Sequence, residues 1–389
     1  MGKTDNDISL LNIQSAEDEK SGSGTSAKDG PRILKQIIQI ACFLVLCMII
    51  WRFVSYMLVS KDGTAYATKT FDSIPENTVD VLFIGASTVW DGISPLTLWQ
   101  ENGITSYTFA ASNCPPQTQY LALKEALSKQ HPKVVFISPQ FLSIKQNPSQ
   151  IQLRTFQSMV NRKFTFNKLE TAAHTARDVS VGTGIKALMP LLAYHDNWKS
   201  VQEVTFVHES DGGNMGQRCW YFYHSQFTDT LDEMIGRSGF RTGHPYKYNK
   251  ITVKYYRKMI NLCKANDIQV VLITMPLHRD FVNHTAIHDF SEEEGIKYIN
   301  FNEPQYLKAI DIDNRIEWRD EYHLNFWGSV KFPKWLGALI DEEFDLPDRR
   351  TASDPSWEVW REHYSQFYNR FSGLMPGDLT PPSEVVSEV

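Results

Sequence analysis

VDVLFIGASTVWDGI (Val79–Ile93) is the stretch that decides the fold. VDVLFI is a short β-rich run closed by Gly85, and a polar segment and a helix around Pro95 to Glu101 follow it, so the stretch predicts a strand, a turn and a helix. SYTFAA (Ser106–Ala111) reads as a second strand. QTQYLALKEALSKQ (Gln117–Gln130) carries Tyr120, Leu121, Leu123 and Leu127 at near-helical spacing among strong helix formers. VVFIS (Val134–Ser138) is a third strand. A helix from about Asn249 to Ala265 precedes the strand QVVLITMP (Gln269–Pro276), and KYINF (Lys297–Phe301) supplies one more. This alternation predicts an α/β domain with a parallel sheet covered by helices on both faces.

The rest of the chain sets the frame. Its 389 residues are enough for one sizeable core with further segments beside it. A formal net charge of -6, with no Lys/Arg run in the main region, leaves no electrostatic footprint for nucleic acid. Residues 1–35 begin as a Ser-, Gly- and acid-rich tail that cannot bury enough apolar surface to offset ordering entropy. IIQIACFLVLCMIIWRFVSYMLV (Ile37–Val59) then covers a hydrocarbon core of about 30 Å at the rise of an α-helix, so residues 36–60 are expected to be a transmembrane helix. Gln39 and Arg52 lie toward its ends, where long side chains reach the interface beside Trp51 and Tyr56. Lys28, Arg32 and Lys35 before the span, against Lys61 and Lys69 after it, predict a cytoplasmic N-terminus and an extracytoplasmic C-terminal domain.

Residues 70–347 are then the main domain. Its pattern breaks between about 143 and 245, where helix-like pieces, DGGNMG (Asp211–Gly216) and the aromatic run CWYFYH stand. An insertion over a parallel sheet is either a lid at the carboxyl ends of the strands or a packing subdomain. In residues 348–389, Trp357, Trp360, Tyr364, Phe367, Tyr368 and Phe371 form one aromatic helical stripe, expected to dock on the domain and to be followed by a disordered end. The five cysteines, Cys42, Cys47, Cys114, Cys219 and Cys263, have no CxxC spacing; they suggest no disulfide framework and allow at most one bridge.

Two segments carry chemistry. Ser87 follows a strand and a glycine turn where a helix begins, which exposes its hydroxyl at the carboxyl edge of the sheet and places its amide to stabilise an oxyanion. In RDEYHLNFWGSVKF (Arg319–Phe332), Asp320 and His323 stand three residues apart on one side of a turn. The carboxylate can fix the imidazole tautomer so that the other ring nitrogen faces the serine as general base. Glu321 reads as a solvated neighbour. His278, His284 and His288 with Asp280 and Asp289 match no closed zinc pattern, and no Walker loop or dinucleotide fingerprint is present, so neither metal nor cofactor is expected.

A serine after the first strand and DxxH before the last helix resemble the SGNH (GDSL-like) serine hydrolase superfamily. The wording is closer to a membrane-anchored subgroup related to the alginate acetylation and teichoic-acid D-alanylation proteins. The resemblance covers roughly residues 79–142 and 250–340, and the insertion matches loosely through pieces such as LAYHDNW. It implies a three-layer flavodoxin-like fold and a serine acyltransferase or esterase acting on acyl esters of a cell-surface polysaccharide or polymer, with Ser87, Asp320 and His323 as the catalytic set. By the same analogy the partners are a glycan or polymer acceptor and a multi-span membrane acyl-donor protein. The chain departs from that pattern at Ala86, where the superfamily has Asp. It also lacks a GxND block after the third strand, where SPQF stands; in AASNCPPQ, Ser112 or Asn113 can fill the donor role, and Asn113, with a side-chain amide to donate, is the candidate oxyanion donor. A non-catalytic binding or assembly component of the same fold is the alternative expectation.

Overall fold

The computed structural model describes residues 30–59, 70–144, 147–160, 162–200, 214–218, 222, 225–237 and 248–376. The expected tail before residue 30, the end after residue 376 and Cys219 lie outside them. The chain divides into two compact units, Met1–Tyr56 and Met57–Val389. Helix α1 (Gly30–Leu58) contains Arg32–Ser55, 24 residues long and apolar enough to cross a membrane, a test that a signal sequence at this position also passes. Ile37, Phe43, Val45 and Leu46 are all exposed, so the helix is apolar around its whole circumference rather than along one stripe.

In the second unit, β1 (Val81–Gly85) turns into α2 (Ser87–Gly92) and α3 (Pro95–Asn102). Then come β2 (Ser106–Ala110), α4 (Pro116–Leu127) and β3 (Val134–Ile137). After the insertion, α5 (Lys250–Lys264), β4 (Gln269–Thr274), α6 (His284–Glu294) and β5 (Lys297–Asn300) complete a parallel sheet in the order β2-β1-β3-β4-β5. Val81 pairs with both Ser106 and Val134, and Gly85 pairs with Ala110.

Side chains alternate across the pleat. Leu82 and Ile84 of β1, with Val135 and Ile137 of β3, enter a core shared with α4, α5 and α6. Val81, Phe83, Val134 and Phe136 enter a second core that contains Val89 and Trp90 of α2 and Leu307 and Ile310 of α7 (Pro304–Ile310). The strands are therefore continuous apolar runs because both faces are covered, which gives three layers.

Past α7 the chain forms a short antiparallel hairpin, β6 (Trp318–Asp320) with β7 (His323–Leu324), and then α8 (Phe326–Glu343). Asn325 fixes this passage. Its side chain caps α8 by accepting from Gly328 N–H at 3.2 Å, while its amide group donates to the Ile316 and Trp318 carbonyls.

The terminal helix α9 (Trp357–Phe371) lays its aromatic stripe on the domain: Trp357, Trp360, Tyr364, Phe367 and Phe371 are buried, and Tyr368 is half-buried at the edge. Trp99 meets Trp357 and Tyr364 at ring-centroid distances of 5.6 and 6.2 Å. Arg349 ties the approach to this helix onto the start of β1, donating from Nε and Nη2 to the two Asp80 oxygens at 2.8 Å each. Trp360→Ala should lower the stability of the unit by about 3–5 kcal/mol, because it opens a cavity under a fully buried ring. Trp360→Phe should cost much less, since the indole N–H has no hydrogen-bond partner among the described residues to lose. Chemical denaturation checks both through the shift of midpoint at constant slope.

The described part of the insertion is mainly a packing subdomain. Helices Pro148–Val160, Phe166–Asp178 and Val181–Leu188 meet Leu121 of α4 through Met159, Ala172 and Ala187. Asp178 accepts from Lys254 Nζ at 2.7 Å and the Tyr255 hydroxyl at 2.9 Å, both on α5. These helices therefore flank the sheet's own helices. A later piece, Asn214–Arg218, behaves differently. Met215 O accepts from Thr108 N–H at 3.0 Å, so it covers the free edge of β2.

Candidate active site

Ser87 is the first residue of α2, two positions past the last residue of β1. The turn between them is tight: a Cβ at Gly85 would lie 2.5 Å from Val89 Cγ2 and 3.1 Å from Ser138 Cβ, so only glycine lets α2 approach the sheet this closely. In a sheet of order 2-1-3-4-5 the chain leaves β1 toward β2 on one side and reaches β3 on the other. The crevice at this switch point opens beside the carboxyl end of β1, where Ser87 stands.

The hairpin β6–β7 brings Asp320 and His323 to the same place. His323 Nε2 lies 2.8 Å from Ser87 Oγ, across 236 positions of sequence, and His323 Nδ1 lies 2.7 Å from Asp320 Oδ1. An ionised carboxylate can only accept, so Nδ1 carries the proton and Nε2 is left to accept from the Ser87 hydroxyl. Asp320 Oδ1 also takes the Tyr322 backbone N–H at 2.9 Å, and Oδ2 takes Arg319 Nε at 2.8 Å. Burial works against the charge on Asp320. The hydrogen bonds from His323, the Tyr322 amide and Arg319 outweigh it and hold the carboxyl well below its ordinary range. The serine is thus bonded to a base, and the base to an orienting acid, the arrangement nucleophilic catalysis requires.

Ser87 N–H is the first amide of α2 and has no intrahelical acceptor, so it can donate to an oxyanion. Asn113 stands on the neighbouring loop, three residues past Ala110, which pairs with Gly85. It is exposed, with φ at 46°, in a turn closed by Cys114 N–H donating to Ala111 O. It shares the sheet edge with Ser87, but its side chain makes no hydrogen bond to a described residue.

The other residues singled out in the sequence do separate things. His278 Nε2 lies 3.0 Å from Asp229 Oδ1, and its ring stacks on Phe227 at 3.6 Å. His284 sits between Asp280 Oδ2 (2.5 Å) and the Tyr298 hydroxyl (2.7 Å), while His288 is exposed. Among the described residues no group of three His, Cys, Asp or Glu could hold a metal. Glu321 pairs loosely with Arg279 at 3.4 Å on the surface. Cys114 and Cys263 are buried free thiols, and Cys42 and Cys47 are free on α1.

Three charged residues that the sequence does not single out stand behind the serine. Asp91, on α2 one turn after Ser87, has a buried carboxylate that accepts from Arg218 Nε and Nη2 at 2.6 Å each and from Arg319 Nη1 at 2.6 Å. The one available signal was a carboxylate inside the otherwise apolar VWDGI, at helical spacing from the serine.

No family model matches the chain, and no curated protein matches it. Among solved structures it is similar to a protein of Bacteroides fragilis described as an acylhydrolase (12% identity over 73% of this chain and 99% of that one, TM-score 0.33). A GDSL-like lipase from Bacteroides thetaiotaomicron (14%, 73% and 98%, 0.32) and the acetyl xylan esterase AlAXEase (16%, 67% and 98%, 0.31) are similar to it in the same degree. Likeness this distant decides nothing about chemistry, which rests on the residues themselves.

Proposed function

We propose that this chain is a serine acyl-ester enzyme, an O-acyltransferase or esterase of SGNH type, anchored in a membrane by α1 and working on acyl esters of a cell-surface polysaccharide or polymer. The observation that carries the reading is the hydrogen-bonded chain Ser87–His323–Asp320 at the switch point of a parallel sheet. Ser87 Oγ attacks the ester carbonyl while its proton passes to His323 Nε2. Asp320, already ionised, holds the imidazolium. The tetrahedral intermediate, with the Ser87 amide donating to its oxyanion, collapses to an acyl-serine, and the proton on Nε2 leaves with the alcohol. Water or a sugar hydroxyl then gives its proton to the same nitrogen and takes the acyl group, regenerating Ser87.

The membrane half of the reading is supported by the length and apolar circumference of α1, and the outward orientation by the Lys/Arg difference across it. The polymer acceptor and a multi-span acyl-donor partner follow from the resemblance of the Ser87 and DxxH blocks to the alginate acetylation and teichoic-acid D-alanylation proteins. The test uses the full chain in detergent with a chromogenic acetyl ester. Intact-mass and peptide analysis after rapid quenching should find the acyl group on Ser87, and an added oligosaccharide should compete with water for it. A folded protein that forms no acyl-serine and turns over no ester would end this reading and leave a non-catalytic binding component.

A further inference from the structure

Resting on the reading of Ser87, His323 and Asp320 as a catalytic set, we infer that Asp91 is a positioning residue for it, acting through Arg319 and tied by Arg218 to the insertion. Asp91 is on the helix that begins with Ser87, and its carboxylate is 1% exposed. A buried carboxylate is costly unless paired, and here two guanidinium groups pair it: Arg218 in a two-bond fork and Arg319 through Nη1. Arg319 spends its Nε on Asp320 Oδ2. One guanidinium therefore spans two carboxylates. It links the helix carrying the nucleophile to the hairpin carrying the acid and the base, over 228 positions of sequence.

The geometry gives this bridge work to do. Asp320 keeps 43% of its side chain exposed, and its partners Arg319, the Tyr322 amide and His323 all belong to its own short hairpin, so the Arg319 bond to Asp91 is what ties the held carboxylate to the helix of the nucleophile. His323 and the Tyr322 amide occupy Oδ1, and Arg319 holds Oδ2, which fixes the rotation of the carboxylate and with it the imidazole aimed at Ser87. Arg319 can hold that position because Asp91 anchors its other end. Arg218 completes the arrangement from the insertion: its backbone N–H donates to Trp90 O at 3.0 Å, its guanidinium lies 4.3 Å from the Trp90 ring centroid, and its fork fills Asp91. The Asn214–Arg218 piece thus joins the insertion to the network behind the serine, so loss of its contact would loosen Asp91 from the other side.

The experiment measures the rate at which a fluorophosphonate probe labels Ser87 in the full chain in detergent, for wild type, Asp91→Asn, Arg319→Gln and the double variant. Each single variant should label about 10- to 100-fold more slowly, the penalty of a misaimed base. The double variant should be no slower than Arg319→Gln alone, because Asp91 acts through Arg319, whereas an unrelated structural fault would multiply the losses. Folded Asp91→Asn that labels at the wild-type rate, or losses that multiply, would overturn the inference while leaving the triad standing. If Asp91→Asn does not fold, Arg319→Gln decides: labelling at the wild-type rate overturns the bridge, and slowed labelling supports it. Absence of labelling in folded wild type would instead defeat the underlying reading of the triad.

Discussion

Ser87→Ala is expected to lower ester turnover by a factor on the order of 10⁵ while leaving the fold intact. The hydroxyl leaves no buried group stranded: its one partner among the described residues is His323 Nε2, and both side chains are partly accessible to water. Stability should therefore change by less than about 1 kcal/mol, within the range of substitutions away from the core. His323→Ala should match it in rate, because nucleophile and base act as one unit and either removal costs nearly the whole effect. Measured side by side, ester turnover and thermal unfolding separate this loss from misfolding. Equal activity in wild type and Ser87→Ala would place any esterase activity elsewhere.

The second large effect is expected from Asp320→Asn, on the order of 10³- to 10⁴-fold in turnover. The amide can present its own N–H to His323 and favour the tautomer with the proton on Nε2, which cannot accept from Ser87. The electrostatics add a pH signature. Burial disfavours the Asp320 charge, but bonds from His323, the Tyr322 amide and Arg319 depress its folded-state pKa below the ordinary carboxylate value of about 3.9. A depressed carboxyl contributes stability that is present above the unfolded value and lost as pH falls through the lower folded one. Acidification from neutrality to about pH 4 should therefore not discharge Asp320, and activity lost over that window must come from another group. Asp320→Asn should accordingly flatten the acid limb of the unfolding curve below pH 4, without flattening it above. Thermal melts of the two proteins from pH 3 to 7 check this.

Much of the fold was legible because the strands of a doubly covered sheet are continuous apolar runs: VLFI, VVFI and VVLI are each buried on both faces. The aromatic stripe of Trp357 to Phe371 was legible for the same reason, since helical spacing forces one face against something. Ser87, Asp320 and His323 could be singled out from local context, a residue after a strand and a DxxH before a helix. Other features depend on partners far away in sequence. Nothing near Asp91 announces Arg218 or Arg319, which reach it across 127 and 228 positions. The strand order, the hairpin that Asn325 locks, and the docking of the insertion helices on α4 and α5 are likewise tertiary choices. Asn113 was legible as a loop residue at the right sheet edge, but that placement alone gives it no hydrogen bond into the site.

The whole mechanism depends on Ser87 being an activated nucleophile. Labelling of the full chain by a fluorophosphonate probe, with peptide mapping of the adduct, tests it most directly. One adduct is expected, on Ser87, absent from both Ser87→Ala and His323→Ala. A folded wild-type protein that stays unlabelled, or one labelled equally in Ser87→Ala, would contradict it.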